Sequence, residues 1–222
     1  MNTLALIGAG RGLGAAVARR FGAEGFPIAL ISRSHERVEA LAAELCEEGL
    51  IARGYAANVR DPEAIVAALD QATQDLGPIE VLTYAPLPSK EFLRPVLETT
   101  VEDLRAAVEF SIYGPVTAVH HVLQGMRYLG KGSVLFINGS SAARPSAGVA
   151  GTSIAFAGES AYARMLHDTL APENIHVGQL IIPGAIKPGH PTHDPAVLAE
   201  KVWTMHASKG DFRVFAEPMA GV

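Results

Sequence analysis

The stretch Ile7-Gly8-Ala9-Gly10-Arg11-Gly12-Leu13-Gly14 restricts the fold of this 222-residue chain more than any other. It follows the apolar run Thr3 to Ile7 and leads into alternating alanines, apolar residues and arginines from Ala15 to Phe21, which share one helical face. A strand, a glycine turn and a helix therefore come in that order. Gly8, Gly12 and Gly14 permit positive φ, a close approach of backbone to ligand, and tight packing of the helix on its strand. The amides of the first helical turn then face an anion such as a pyrophosphate, helped by the helix dipole. The bare alternative is the same tight turn with no ligand.

Beyond the first helix the chain alternates. Strands are expected at Ile28 to Ile31, Ile51 to Ala57, Ile79 to Tyr84, Val134 to Ile137 and Ile175 to Ile182. Helices are expected from His35 to about Glu48 with Ser34 as cap, and from Asp61-Pro62 to about Leu76, stopped by Gly77-Pro78. A long helix follows the capping sequence Thr100 to Asp103 and ends near Leu129-Gly130. Two more run from Ser153 to about Leu170 and from Pro195 to about Ser208, the latter capped by Asp194. Strands separated by helices predict a single α/β domain, a doubly wound parallel sheet of Rossmann type with helices on both faces.

In such a sheet the end of the second strand faces the adenosine ribose of a dinucleotide, where an acid suits the 2′-hydroxyl and a base suits a 2′-phosphate. Here Ser32-Arg33-Ser34 has no acid, and Arg11 in the glycine turn is a second cation. Their joint placement points to NADP(H) rather than NAD(H). A net charge of −5 and a pI near 5.9 offer no basic surface for nucleic acid. The single cysteine, Cys46, excludes an internal disulfide and a cysteine metal cluster. No apolar run approaches the roughly 18 residues of a membrane span, and no leader is visible, so a cytoplasmic protein is expected.

Over nearly its whole length the chain resembles the short-chain dehydrogenase/reductase family. The turn matches the family's Thr-Gly-x-x-x-Gly-x-Gly with Ile7 in place of threonine, and Asn58-Val59 stands where the family usually has Asp-Val beside the adenine. Ile175-His176-Val177 through Pro183-Gly184 is similar to its Ile-Arg-Val strand and Pro-Gly turn. The resemblance implies cofactor contacts from Gly8, Gly10, Arg11, Gly12, Leu13, Gly14, Ser32, Arg33, Asn58 and Val59. It implies further contacts from Tyr84, Ala85, Pro86, Pro183, Gly184 and Ile186. It also implies a homodimer or homotetramer, paired through the helices at about Val101 to Tyr128 and Ser153 to Leu170.

The family's chemistry needs a tyrosine as acid/base, a lysine that lowers its pKa, a serine holding the substrate oxygen, and an asparagine. A phenol near pKa 10 serves near neutrality only beside a cation. Anchored on Leu170-Ala171-Pro172, the tyrosine position falls on Thr152, the lysine on Phe156 and the asparagine on Ser111; only the serine remains, at Ser141 or Ser140. Tyr162 lies too late to replace the tyrosine. Tyr84 and Tyr113 would lie near the nicotinamide, but neither has an evident cation, and both are read as packing residues. His190 and His193, with Asp194, resemble a metal cluster but are read as surface groups of the loop Ile186 to His193, a short counterpart of the family's substrate lid; no metal is expected.

Two readings follow. One is an NADP(H)-binding oxidoreductase whose usual catalytic Asn, Tyr and Lys are replaced, giving at most weak or non-standard hydride transfer between the cofactor and a small carbonyl or alcohol. The other is a non-catalytic NADP(H) sensor or scaffold acting through a protein partner. A structural subunit with an empty nucleotide site leaves the glycine turn and both arginines without a role.

Overall fold

The computed structural model describes residues 2–219. Seven parallel strands form one sheet in the order β3-β2-β1-β4-β5-β6-β7. These are β1 (Thr3–Ile7), β2 (Ile28–Ser32), β3 (Ala52–Ala56), β4 (Ile79–Tyr84), β5 (Gly132–Gly139), β6 (Ile175–Ile182) and β7 (Arg213–Phe215). Side chains alternate across each strand. Leu4 and Leu6 of β1 thus join Ile28 and Leu30 of β2 on one face, while Ala5 and Ile7 join Ala29 and Ile31 on the other.

Helices α1 (Leu13–Gly22), α2 (His35–Glu47) and α7 (Pro195–Ser208) cover the first face. The second is covered by α3 (Pro62–Leu76), α4 (Val101–Val108), α5 (Gly114–Leu129) and α6 (Ala150–Leu170). Each presents an apolar stripe at helical spacing, as with Val38, Leu41, Ala42 and Leu45 of α2. Full burial of a leucine or isoleucine in these layers contributes about 1.5–3 kcal/mol. The expected caps form: Ser34, Asp61 and Asp194 accept backbone N–H bonds, and Thr100 and Asp103 make a reciprocal capping box.

The single long helix expected after Thr100 is interrupted. Between α4 and α5 the residues Glu109–Tyr113 form a π-turn, in which the Gly114 N–H bonds to the Glu109 carbonyl instead of that of Phe110. Pro115, next in line, has no N–H with which to continue an α-helical ladder. The Phe110 carbonyl left over accepts a hydrogen bond from the buried Tyr84 hydroxyl. A Cβ on Gly114 would lie 2.5 Å from both the Tyr84 hydroxyl and the Val59 carbonyl, so glycine is needed where the π-turn meets the sheet. Tyr84 is therefore part of the packing that shapes the site, not part of its wall. The short strand β7, unforeseen from the sequence, extends the sheet beyond β6.

Among the described residues no helix is long and apolar enough to cross a membrane. Tyr84→Phe is expected to lower the unfolding free energy by about 1–3 kcal/mol, because it leaves the Phe110 carbonyl buried without a donor. Urea unfolding measures this, and an unchanged midpoint would show that the carbonyl is satisfied in another way.

Candidate functional site

The chain runs outward from β1 to β2 and β3 and then returns to β4 on the other side of β1, which opens a crevice at the carboxyl ends of β1 and β4. Gly8 lies at its base with φ +92°. A Cβ there would stand 2.4 Å from the Pro86 nitrogen and 2.5 Å from the Ala85 carbonyl carbon. The turn is tied to both neighbouring strands: the Gly8 and Ala9 N–H groups bond to the Ile31 carbonyl at 2.9 and 3.1 Å, and the Ala85 N–H to the Ile7 carbonyl at 2.9 Å. The first residue before α1 is Gly12, with no side chain capping the helix and no acid in the first turn. A Cβ on Gly10 or Gly12 would meet nothing within 4 Å, so their backbone faces open space. This is a cradle for an anion at a helix N-terminus.

Two cavities flank the cradle and share Gly8, Gly10, Pro86 and Leu87. The one of about 930 Å³ runs over the ends of β2 and β3 and is lined by Arg11, Ser32, Arg33, Ser34, Glu36, Arg37 and Val59. Arg11 pairs with Glu44 of α2 at 3.4 Å, but its side chain is 72% exposed, and so loose a pair yields readily to a doubly charged ligand. No carboxylate pairs with Arg33 or Arg37 among the described residues. Arg37 escaped the sequence reading. Its signal was the Ser34 cap, which sets residue 37 on the first turn of α2 beside Arg33.

The other cavity, of about 870 Å³, is lined by Gly12, Leu13 and Gly14 and then by groups from β5, α6 and the loop after β6. Ser140 and Ser141 reach it from a single 3₁₀ turn at the end of β5, and Gly184 and Ile186 from the opposite side. Thr152 and Phe156, one helical turn apart on α6, both face it. The Thr152 hydroxyl donates to the Val149 carbonyl at 3.1 Å, within its own helix. Phe156 packs on Ala142 and Ile181. This wall therefore offers hydroxyls, an amide and an aromatic ring, with no phenol or ammonium group.

The amide is that of Asn138, and a buried polar chain holds it from both ends. Its Oδ1 accepts from Gln179 Nε2 at 2.8 Å, and its Nδ2 donates to Glu159 Oε1 at 3.2 Å. Gln179 is anchored in turn by Ser160 at 2.7 Å and by Arg213 Nε at 2.9 Å. Glu159 is 1% exposed, and burial pushes its carboxyl up to about 8, opposed by hydrogen bonds from Asn138 and Ser111. Sequence reasoning did not single out Glu159 or Asn138. An acid among alanines on α6, three positions after Phe156, was the available signal.

Several expected contacts lie outside both cavities. Asn58 is exposed, and its Oδ1 accepts from the Arg60 N–H at 3.2 Å in a local turn. Tyr84 is buried against Phe110, and burial together with the nearby Glu159 holds its hydroxyl well above 10. Pro183 contributes its carbonyl to His193 instead of to the cavity, and Ser111 sits behind the wall in the π-turn. Tyr113 is exposed, and Tyr162 packs against Phe136 with ring centroids 6.4 Å apart. The loop histidines also differ from expectation, since His193 is 3% exposed and not a surface group. Its Nε2 donates to the Pro183 carbonyl, while Thr192 Oγ1 lies 2.8 Å from its Nδ1. Asp194 is occupied by the Gly189 and Ala196 N–H groups, so this network pins the short loop onto α7.

Comparison with known proteins agrees with this architecture. The family model for short chain dehydrogenases matches residues 2–194. A short-chain reductase protein of Streptomyces niveus, NovJ, is 31% identical over 179 residues, which is 81% of this chain and 67% of that protein. The chain thus spans about two thirds of that relative's length. Among solved structures, a short-chain dehydrogenase of Rhodopseudomonas palustris superposes with a TM-score of 0.86 at 28% identity, covering 98% of this chain and 99% of that one. A short-chain oxidoreductase of Pseudomonas aeruginosa, described as containing an atypical catalytic center and solved with NADPH bound, has a TM-score of 0.87 at 17% identity. It covers 99% of this chain and 98% of that one. With the glycine cradle, the switch-point crevice and a family match that runs from β1 to the cap of α7, this chain belongs to the short-chain dehydrogenase/reductase family.

Proposed function

We propose that this protein binds NADP(H) across the two cavities and is an oxidoreductase-type member of its family that lacks the usual proton-transfer pair. The observation that carries the reading is the continuity of the crevice: a cationic end, an uncapped helix N-terminus at the centre, and a polar end walled by Asn138 and Ser141. The amides around Gly12 to Gly14 would hold the pyrophosphate, and Arg33 and Arg37 the 2′-phosphate. The P. aeruginosa protein adds only that this fold is compatible with NADPH.

When bound, the cofactor supplies or accepts a hydride. The chain's own part in reducing a carbonyl would be to orient its oxygen with the Ser141 hydroxyl and to exclude water. Proton delivery is the weak step. Thr152 donates within its helix and Phe156 carries no charge, so the contribution of a general acid, about 10² to 10⁴ in rate, is missing. Turnover is thus confined to strongly electrophilic carbonyls. The same absence favours a second reading, an NADP(H) sensor whose occupancy alters affinity for a protein partner. The exposed apolar side chains of Tyr113, Ile154 and Met165 on the helices expected to pair copies are consistent with a homodimer or homotetramer.

Fluorescence titration is expected to show NADPH binding at least about tenfold tighter than NADH. Arg33→Ala with Arg37→Ala should remove most of that difference, since each charge-assisted hydrogen bond contributes about 1.5–3 kcal/mol. Equal affinity for NADPH and NADH would contradict the cofactor assignment. Thr152→Tyr with Phe156→Lys is expected to raise NADPH-dependent carbonyl reduction by at least about 10². A folded double variant that binds NADPH but gains no activity would refute the roles assigned to these two positions.

A further inference from the structure

Glu159 is the one carboxyl group built into the sheet side of α6 behind the cavity wall. It follows Phe156 by three positions and Thr152 by seven, so all three share a helix face. One of its oxygens holds the Asn138 side chain, which itself lines the cavity, while Oε2 has no hydrogen-bond partner. A carboxylate at this depth without a cation beside it is costly, whereas the neutral acid is tolerated. Any positive charge brought to the other side of Asn138 relieves that cost.

The two redox forms of a nicotinamide cofactor differ by such a charge: the oxidised ring is cationic and the reduced ring neutral. We propose that Glu159 is a positioning residue that couples the charge of the nicotinamide to a proton, remaining the neutral acid with NADPH and becoming a carboxylate with NADP⁺. On binding NADP⁺ the carboxyl O–H bond breaks, the electron pair stays on Glu159 and the proton leaves to solvent. No electron is transferred. This inference rests on the cofactor reading above and adds a discrimination between oxidised and reduced cofactor.

The titratable neighbours do not mimic this behaviour. Tyr84 from β4 is held well above 10 by burial and by Glu159, and Tyr162 on the next turn of α6 is raised to about 12 by burial. Asn138 of β5, Gln179 of β6 and Ser111 of the π-turn are uncharged, and Arg213 of β7 stands behind Gln179 as a constant cation.

Isothermal titration calorimetry of the full chain with NADP⁺ and with NADPH, in buffers of different ionisation enthalpy, counts the protons released. The 2′-phosphate is common to both ligands and cancels in the difference. Excess proton release with NADP⁺ is expected, with a maximum below pH 8, between the lowered pKa of Glu159 beside NADP⁺ and its value of about 8 without that charge, and the NADP⁺ to NADPH affinity ratio should rise about tenfold from pH 6 to 9. Glu159→Gln keeps an acceptor for Asn138 but has no proton to lose, so both effects should vanish while NADPH binding persists. A purely structural role would leave the pH profile of the variant like that of wild type, and that result overturns the proposal. So does equal proton release with the two cofactors in wild type, a measurement that does not depend on the variant folding. Failure of wild type to bind either cofactor would remove the cofactor reading and this proposal together, whereas binding with pH-independent selectivity removes this proposal alone.

Discussion

The approach of Gly8 to the backbone of Ala85 and Pro86 is the contact on which the rest of the site depends. It joins the ends of β1 and β4 where the strand order reverses, and a side chain at residue 8 would collide with main-chain atoms that cannot move aside. Positive φ at the same residue turns the chain so that Gly12 begins α1 over the crevice with its amides uncovered. An anion bound here would be held by main-chain geometry. On the proposed reading the arginines would add selectivity to a cradle whose geometry does not depend on them.

At the other end of the crevice the wall of α6 is closed by packing and by its own hydrogen bonds. Phe156 packs into a small apolar cluster with Ala142 and Ile181 and gives that part of the wall no charge. Thr152 turns its hydroxyl into its own helix. Asn138 and Ser141 keep part of the wall polar, and behind Asn138 a polar chain runs from Arg213 through Gln179 to Glu159. A buried acid tied to the cavity by a single amide is suited to respond to charge in the cavity, and poorly placed to reach a substrate.

The sheet and its helices were legible because their signals are local. Strands such as Ile79–Tyr84 and Ile175–Ile182 are mostly apolar and buried at every position, as parallel strands covered on both faces require, and Asp61-Pro62 or Asp194-Pro195 announces a helix through capping alone. The glycine turn was legible for the same reason, and Arg33, read from the end of β2, lines the adjoining cavity. What escaped depends on contacts distant in sequence. The π-turn follows from Pro115 combined with a Tyr84 hydroxyl 26 residues away from Phe110, and β7 is three residues long and exists by pairing with β6. Tyr84 ends a strand that points at the site, which suggested a contact, yet the alternation of the strand turns its ring into the layer beneath. His193 resembled a surface residue because its loop is rich in proline, but one hydrogen bond to Pro183 buries it.

The central claim is that a cofactor spans both cavities across the N-terminus of α1, and a crystal structure of the protein grown with NADPH tests it most directly. The account predicts the pyrophosphate against the Gly12 and Leu13 amides, the 2′-phosphate on Arg33 and Arg37, and the nicotinamide facing Asn138, Ser141, Thr152 and Phe156. A crevice that stays empty at saturating NADPH, or a cofactor bound with its nicotinamide toward Arg33, would contradict it.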